Sequence, residues 1–491
     1  MKNSISTATA LLLLVAGNIL AQNETDALRY SQLSFGGTAR YAAMGGSFGA
    51  LGADFSTLSS NPAGLGVYRR SEISITPGFM YQGTTSTYAG TSTDDQKAQF
   101  NFNNIGLVFA HNLHRDGKEN GSEWKFVQFG IGMNRLANYN SQTTTTGISN
   151  ESIMGMFQSQ AVGTIPGNLD NFGTALAFNT YLIDTIPGSG GTGYTKAVNP
   201  GDQVNQTKTV STSGSYSEMV ISLGGNYGDK LFLGGTLGIP YITYNENSSY
   251  IEAFVPGNTS TFSSMTYNQN LTTTGQGYNF KFGATYKPFD YLRVGLAFHS
   301  KTWLSMHDNW NADMTSTFSG ADAWKNSSAT SGPGNYDYSI TTPGRIIASV
   351  AGIIGKEAVI NLDYESVDYS QARLSSADAG VFTDANAAAK ANFTRASIIR
   401  LGGELKLKPL ALRLGAAYYQ SPYSNTGNDD ARTSITGGVG FRHKKLFLDM
   451  AYIMTMSNSK QYLYDPTFNT TGPAVNATTV SSFLVTFGIK L

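Results

Sequence analysis

In "RASIIRLGGELKLK", residues 395–408, Ile399, Leu401, Leu405 and Leu407 alternate with Arg400, Glu404, Lys406 and Lys408. The segment 480–491 repeats the device: Phe483, Val485, Phe487, Ile489 and Leu491 oppose Ser482, Thr486, Gly488 and Lys490, and Leu484 breaks the pattern. Side chains of a strand alternate between its two faces, so each such run has one dry side and one wet side. A soluble β-sandwich alternates too, and length separates the two cases. Fourteen runs of twelve or more residues are found, at 71–82, 98–112, 124–138, 214–227, 230–246, 271–287, 291–305, 336–354, 357–371, 395–408, 410–421, 431–443, 445–458 and 480–491. Globular strands run to about 5–6 residues, whereas a tilted strand crossing hydrocarbon needs about 9–11.

The connections alternate in length. Tight turns at 227–230, 287–291, 354–357, 408–410 and 443–445, and a longer polar one at 113–123, are interleaved with polar loops at 83–97, 306–335, 372–394 and 459–479. Short turns at one end and longer loops at the other mark an outer-membrane barrel. The expected fold is all-β: a transmembrane outer-membrane β-barrel of about 14 antiparallel strands spanning 71–491. A Lys or Arg at the lipid midplane costs about 2–4 kcal/mol, so Arg400, Lys406 and Lys408 are expected to face the lumen.

The remaining composition agrees. The first 21 residues, "MKNSISTATALLLLVAGNILA", have the early Lys2, short apolar run and small final residue of a secretory signal peptide. No cysteine is present, so neither a disulfide framework nor thiolate chemistry is expected. Charged residues make up 13% of the chain, against about 25% in ordinary globular domains. Lys+Arg and Asp+Glu balance at 33 each, which argues against a nucleic-acid partner. Beyond residue 21 no apolar run reaches the ~18 residues of a membrane helix.

A barrel of fourteen strands is wider than the ~8-stranded size that its own side chains can fill. Residues 22–70, rich in Gly and Ala with Phe35, Phe48, Leu51, Phe55 and Leu58 as apolar anchors, are therefore read as a plug in the lumen. Within them Pro62 fixes its own φ and pushes Asn61 out of helix geometry, a corner expected to end the last turn of the plug. Gly64 and Gly66 follow, where the chain passes into the wall. A second long segment, 139–213, is expected as an extracellular loop with two short amphipathic helices capped by Asn150 and Asp170. Its Met154, Met156, Phe157, Phe172, Leu176 and Phe178 suit either mutual packing of the helices or an outer apolar groove that accepts a greasy ligand.

Asn61-Pro62-Ala63-Gly64-Leu65 ahead of a first barrel strand resembles the hatch motif of the FadL/TodX family of outer-membrane transporters for long-chain fatty acids and other hydrophobic compounds. "TTPGRIIASVAG…INLDYESVDYS" (341–370) and "IIRLGGELKLKPLALRLGAAYYQSPY" (398–423) resemble later strands of that family. The resemblance implies a monomer in the Gram-negative outer membrane, in contact with its lipid, that passes a hydrophobic small molecule by hatch-gated diffusion. It implies a hatch built on Asn61, Pro62, Ala63 and Gly64, and an inward kink of the third strand. Gly130 and Gly132 of 124–138 could tolerate that kink or simply ease barrel curvature, and Asn61 is the hatch residue expected to bond across it. Two alternatives stand beside transport of fatty acid or hydrocarbon: a haem-uptake receptor, and a barrel that binds protein partners in a secretion or surface-attachment system. No cofactor or metal is expected, and no enzyme. The histidines, including the pair His111 and His114, lack supporting ligands, the Asp94-Asp95 and Asp429-Asp430 pairs lie in loops, and no GxSxG elbow occurs.

Overall fold

The computed structural model describes residues 22–113, 123–425 and 430–491; the expected signal peptide 1–21, His114 and Asp429 lie outside the described residues. Fourteen staves form one closed antiparallel wall. They are β1 (Glu72–Tyr88), β2 (Thr91–Asn112), β3 (Trp124–Asn138, continued by Ser141–Ser149), β4 (Val204–Tyr227), β5 (Leu231–Phe254), β6 (Phe262–Phe289) and β7 (Leu292–His299 with Thr302–Phe318). Then follow β8 (Gly334–Thr342 with Arg345–Ile354), β9 (Ala358–Asp368), β10 (Arg395–Leu407), β11 (Leu410–Tyr419), β12 (Arg432–His443), β13 (Leu446–Gln461) and β14 (Ala474–Lys490). The last stave pairs with the first, Lys490 opposite Glu72 and Phe487 opposite Ile75, so the sheet has no free edge.

The alternation sorts as expected. On β11, Leu412 and Leu414 are exposed on the outer surface, while Arg413 between them is 2% exposed. Ile399, Leu401, Leu405 and Leu407 likewise lie outside, and Arg400 and Glu404 are buried within. Leu484, the residue that broke the pattern at the C-terminal strand, is inward and packs on Ala39, Ala42 and Ala43 of the N-terminal segment. Its apolarity answers a plug surface rather than lipid.

The staves are longer than the apolar alternation indicates; β6 alone has 28 residues. The segments read as loops at 83–97 and 306–335 are largely strand, whereas 459–479 is strand only at its ends, to Gln461 and from Ala474. In the first of them β1 and β2 run on to a two-residue turn, Ala89 and Gly90, both with positive φ. Beyond the lipid both faces meet water or polar neighbours, so the hydrogen-bond ladder continues while the hydropathy signal fades. For the same reason 139–213 is not all loop, since Ser141–Ser149 pairs with the outer part of β4. The 372–394 connection holds a helix at Thr383–Asn392.

The N-terminal segment lies within the wall. It contains α1 (Glu24–Arg29), closed by a capping box between Asn23 and Asp26, and α2 (Ala39–Ala43), capped by Thr38. Two 3₁₀ turns follow, Phe55–Ser59 capped by Asp54 and Pro62–Val67 capped by Asn61. Phe48, Phe55, Leu58 and Leu65 are at most 1% exposed and Leu51 is buried, as expected of anchors; Phe35 is half-buried. The Asn-Pro corner therefore begins a helical turn rather than ending one. Pro62 takes the first helical position, where its missing N–H costs nothing.

Candidate functional site

Polar contacts tie the plug to staves around the ring. The backbone N–H groups of Phe48 and Gly49 donate to Asp363 on β9, at 3.0 and 3.1 Å. Ala39 N–H donates to Thr486 on β14 at 2.7 Å, Ser34 N–H to the Leu136 carbonyl on β3 at 2.8 Å, and Arg293 on β7 to the Leu51 carbonyl at 2.7 Å. Arg345 on β8 donates to the Ser31 carbonyl and to Glu365 on β9, and Arg400 on β10 grips the other oxygen of Glu365 at 2.6 Å. Plug residue Arg40 and wall residue Arg413 share Glu404, at 2.9 and 2.7 Å, and Arg413 also reaches Asp449. Glu218 accepts from Lys281, Asn279 and the plug's Ser59. Glu365, Glu404, Glu218 and Asp449 each meet an opposite charge, and Asp363 is held by backbone N–H groups and Asn361, the conditions under which burial of ionisable groups is tolerated.

The corner is anchored against β5, β6 and β7. Asn61 Oδ1 accepts from Ala63 N–H at 3.1 Å, and its Nδ2 donates to the Gly49 carbonyl at 2.5 Å. A Cβ built at Gly283 on β6 would overlap Asn61 Oδ1, and one at Gly234 on β5 would overlap the Pro62 carbonyl. These two wall glycines admit the Asn-Pro corner at close range, one its side chain and the other its backbone. Asn61 therefore does not bond across the third strand, as the resemblance implied. Ala63 and Gly64 are buried in the same turn, and Gly64 packs on Thr57.

The pairing of the third strand is interrupted, but not at Gly130 and Gly132. Both glycines sit in regular register, opposite Val108 and Gly106 on β2. Their bare Cα atoms make room for plug side chains: a Cβ at Gly130 would come within 2.6 Å of Leu58, and one at Gly132 within 2.6 Å of Phe55. The departure comes further along. The β2–β3 ladder stops at Asn104 opposite Asn134, the β3–β4 register slips between Arg135 and Ala137, and Ser141–Ser149 then pairs with β4 alone. Side chains replace the ladder. Lys97 Nζ donates to the Ser141 and Thr212 carbonyls at 3.2 and 2.6 Å, Asp95 accepts from Thr144, and Ser86 and Thr145 share a 2.8 Å hydroxyl contact. A seam without backbone pairing results between β2 and β3.

A cavity of about 220 Å³ joins the lumen to this seam. It runs from plug residues Ser34, Phe35 and Gly36, past Ile453 and Leu484, to Asn101, Asn103 and Arg135, and its lining includes the outward-facing Phe79. Sequence reading passed over the seam, although a signal is there. The outward apolar residues of β2 are even-numbered at Phe100 and Phe102 and odd-numbered at Ile105, Leu107 and Phe109. Such a parity change requires one inserted residue, and the β1–β2 register indeed jumps there, Thr76 opposite Asn104 and Pro77 opposite Phe102.

At the outer end, α3 (Ile153–Ala161) and α4 (Thr174–Asn179) close the mouth. Met154, Phe157 and Leu176 are buried against Tyr250, Met265, Tyr267, Met314 and Phe318 of the upper wall, with Met156 and Phe178 partly buried beside them. Phe157 meets the Tyr267 ring at 5.7 Å, Phe172 the Trp310 ring at 5.6 Å, and Phe178 the Tyr194 ring at 6.2 Å. Five of the six residues come together as a packed cap core, not an open groove, because the amphipathic faces find an apolar upper wall to cover, while Phe172 lies outside that core against Trp310. The cap of α3 is Ser152 rather than Asn150; its hydroxyl and the Ile153 N–H bind the buried Glu252. Gly173 precedes α4, and Asp170 instead accepts from Phe172 N–H in the turn before it. Among the described residues no group of three or more His, Asp or Glu side chains could hold a metal ion.

A plugged, fourteen-stranded membrane barrel with an interrupted third strand is the class this architecture defines. No protein-family model matches the sequence, and no curated protein matches it. Solved structures do. A Pseudomonas aeruginosa FadL homologue superimposes with a TM-score of 0.57 at 13% identity, over 94% of this chain and 99% of that one. The P. putida toluene transporter TodX gives 0.53 at 13% identity, over 93% and 99%. The Ralstonia pickettii toluene transporter TbuX gives 0.51 at 14% identity, over 93% and 98%. The fold is that of the FadL and TodX barrels, as the resemblance in sequence implied.

Proposed function

We propose that this protein is exported by a signal peptide at 1–21 and lies in the Gram-negative outer membrane. There it passes hydrophobic small molecules, long-chain fatty acids or hydrocarbons, by diffusion under control of the plug at 22–70. The observation that carries the proposal is the seam: a lumen cavity reaches the wall where the β2–β3 ladder is missing, beside the outward aromatics Phe79, Phe100 and Phe102. Beyond Asn104 no backbone ladder joins β2 to β3, so a greasy molecule can leave the lumen for lipid here without crossing a row of backbone bonds. The toluene transporters of the same fold support the cargo class. The cap core around Phe157 and Leu176 is the first apolar surface a ligand would meet from outside, and binding there requires α3 and α4 to part from the wall.

The test fills the seam. Asn101→Trp with Asn138→Trp, both on the cavity wall, is expected to slow uptake of a radiolabelled aromatic hydrocarbon by at least about tenfold in cells carrying the protein in an outer membrane, with barrel assembly unchanged. Undiminished uptake would remove the seam from the route.

A further inference from the structure

The short-turn end of the barrel carries an imbalance of charge that passage of a neutral hydrocarbon does not use. On one side of that rim lie Lys406 near the end of β10, Lys408 in the turn that follows it, Arg442 on β12 and Lys490 on β14. With Arg413 and plug residue Arg40 they line a single cavity of about 670 Å³. Three carboxylates touch these six cations. Glu404 is shared by Arg40 and Arg413 and lies 3.7 Å from Lys406; Asp449 is shared by Arg413 and Arg442; Glu72 lies 3.4 Å from Lys490. Glu404 also lines the cavity, but its side chain, like that of Asp449, is only 1% exposed and is engaged by the arginines. Lys406 and Lys490 keep 46% and 40% of their side chains exposed, and Lys408 makes no ion pair among the described residues. Ala53, Pro409, Leu410 and Ala411 complete the lining between the cations.

Clustered like charges around a concave, partly desolvated surface concentrate counter-ions from the adjoining water. Lysine ammoniums and arginine forks are the groups that hold carboxylate and phosphate oxygens. We propose that this basin binds an oxyanion, a carboxylate or phosphate monoester, at the mouth that faces the periplasm in barrels of this orientation. The inference stands on the charge geometry and holds whatever the barrel transports.

The test uses the whole protein in an uncharged detergent, titrated calorimetrically at constant ionic strength with inorganic phosphate, acetate and decanoate. Lys406→Gln/Lys408→Gln/Lys490→Gln leaves the Arg40–Glu404–Arg413–Asp449 network intact, and unaltered circular dichroism verifies the fold. Phosphate or acetate is expected to bind the native protein, and the triple variant to weaken that binding by about tenfold or more, the equivalent of ~1.4 kcal/mol. Decanoate binding tighter than acetate, with the advantage abolished by the triple variant, identifies the head of an amphiphile. Equal binding of the two identifies a free anion. Absence of binding of both tailless anions, or unchanged affinity in the triple variant, overturns the proposal.

Discussion

The hold of the plug on the wall is measurable at Asn61, a side chain 1% exposed whose two polar ends are both engaged. Asn61→Ala removes the acceptor that caps the Pro62–Val67 turn, a loss of about 0.5–2 kcal/mol. It also deprives the buried Gly49 carbonyl of this donor, which adds about 1–3 kcal/mol. Together, about 1.5–5 kcal/mol is taken from the docked state. If those bonds exist only while the plug is docked, the undocked population rises roughly 10- to 4000-fold. Single-channel recording in planar bilayers reads this as a rise in the frequency of large openings. Gly283→Ala attacks the same contact from the wall, because its methyl group would overlap Asn61 Oδ1. That methyl finds room once Asn61 is truncated, so the double variant should open no more often than Asn61→Ala alone, a non-additivity expected of groups in contact. Native opening frequency in Asn61→Ala, or independent summation of the two effects, would refute the assignment of this corner as the anchor.

Glu404→Gln leaves Arg40 and Arg413 without their shared carboxylate; a loss of about 3–5 kcal/mol is expected, seen as a lower temperature for the gel-mobility shift of the folded barrel. Phe157→Ala removes a ring from the cap core and should cost about 3–5 kcal/mol, raising hydrogen exchange in α3 and α4 while the wall stays protected. In the 227–231 turn, partial burial opposes ionisation of Asp229, but hydrogen bonds from Lys125 and Asn226 and the charge of Arg69 outweigh it and hold the carboxyl below its ordinary range. A depressed acid stabilises above its unfolded value and loses that contribution as pH falls. Protection of this turn against hydrogen exchange should therefore decline from about pH 4 downward, and Asp229→Asn should abolish the pH dependence.

The wall was legible because lipid acts on each residue separately. Whether Leu401 or Arg400 faces hydrocarbon follows from parity within one strand, and all fourteen runs correspond to staves. The same rule set the limits of that reading. Where β1 and β2 rise above the membrane, Thr84 to Thr87 and Thr91 to Asp94 have no dry face, and strand was read as loop. The plug's position was a different matter. That something must fill so wide a lumen follows from strand number, but the docking of Gly49 on Asp363, 314 residues away, carries no local pattern. The glycines of the third strand show the distinction most clearly. Gly130 and Gly132 suggested a bend, and they serve instead as sockets for Leu58 and Phe55. The legible signal lay instead on the neighbouring β2, in the parity change between Phe102 and Ile105.

By itself, then, the sequence determined a closed oily cylinder and the need to stopper it, since both follow from one-residue preferences for lipid or water repeated at period two. Only the tertiary structure decided which wall the stopper grips, which carboxylate each arginine meets, and where the ladder opens. Those outcomes depend on pairs of groups brought together from distant parts of the chain, and no periodicity along the chain records them.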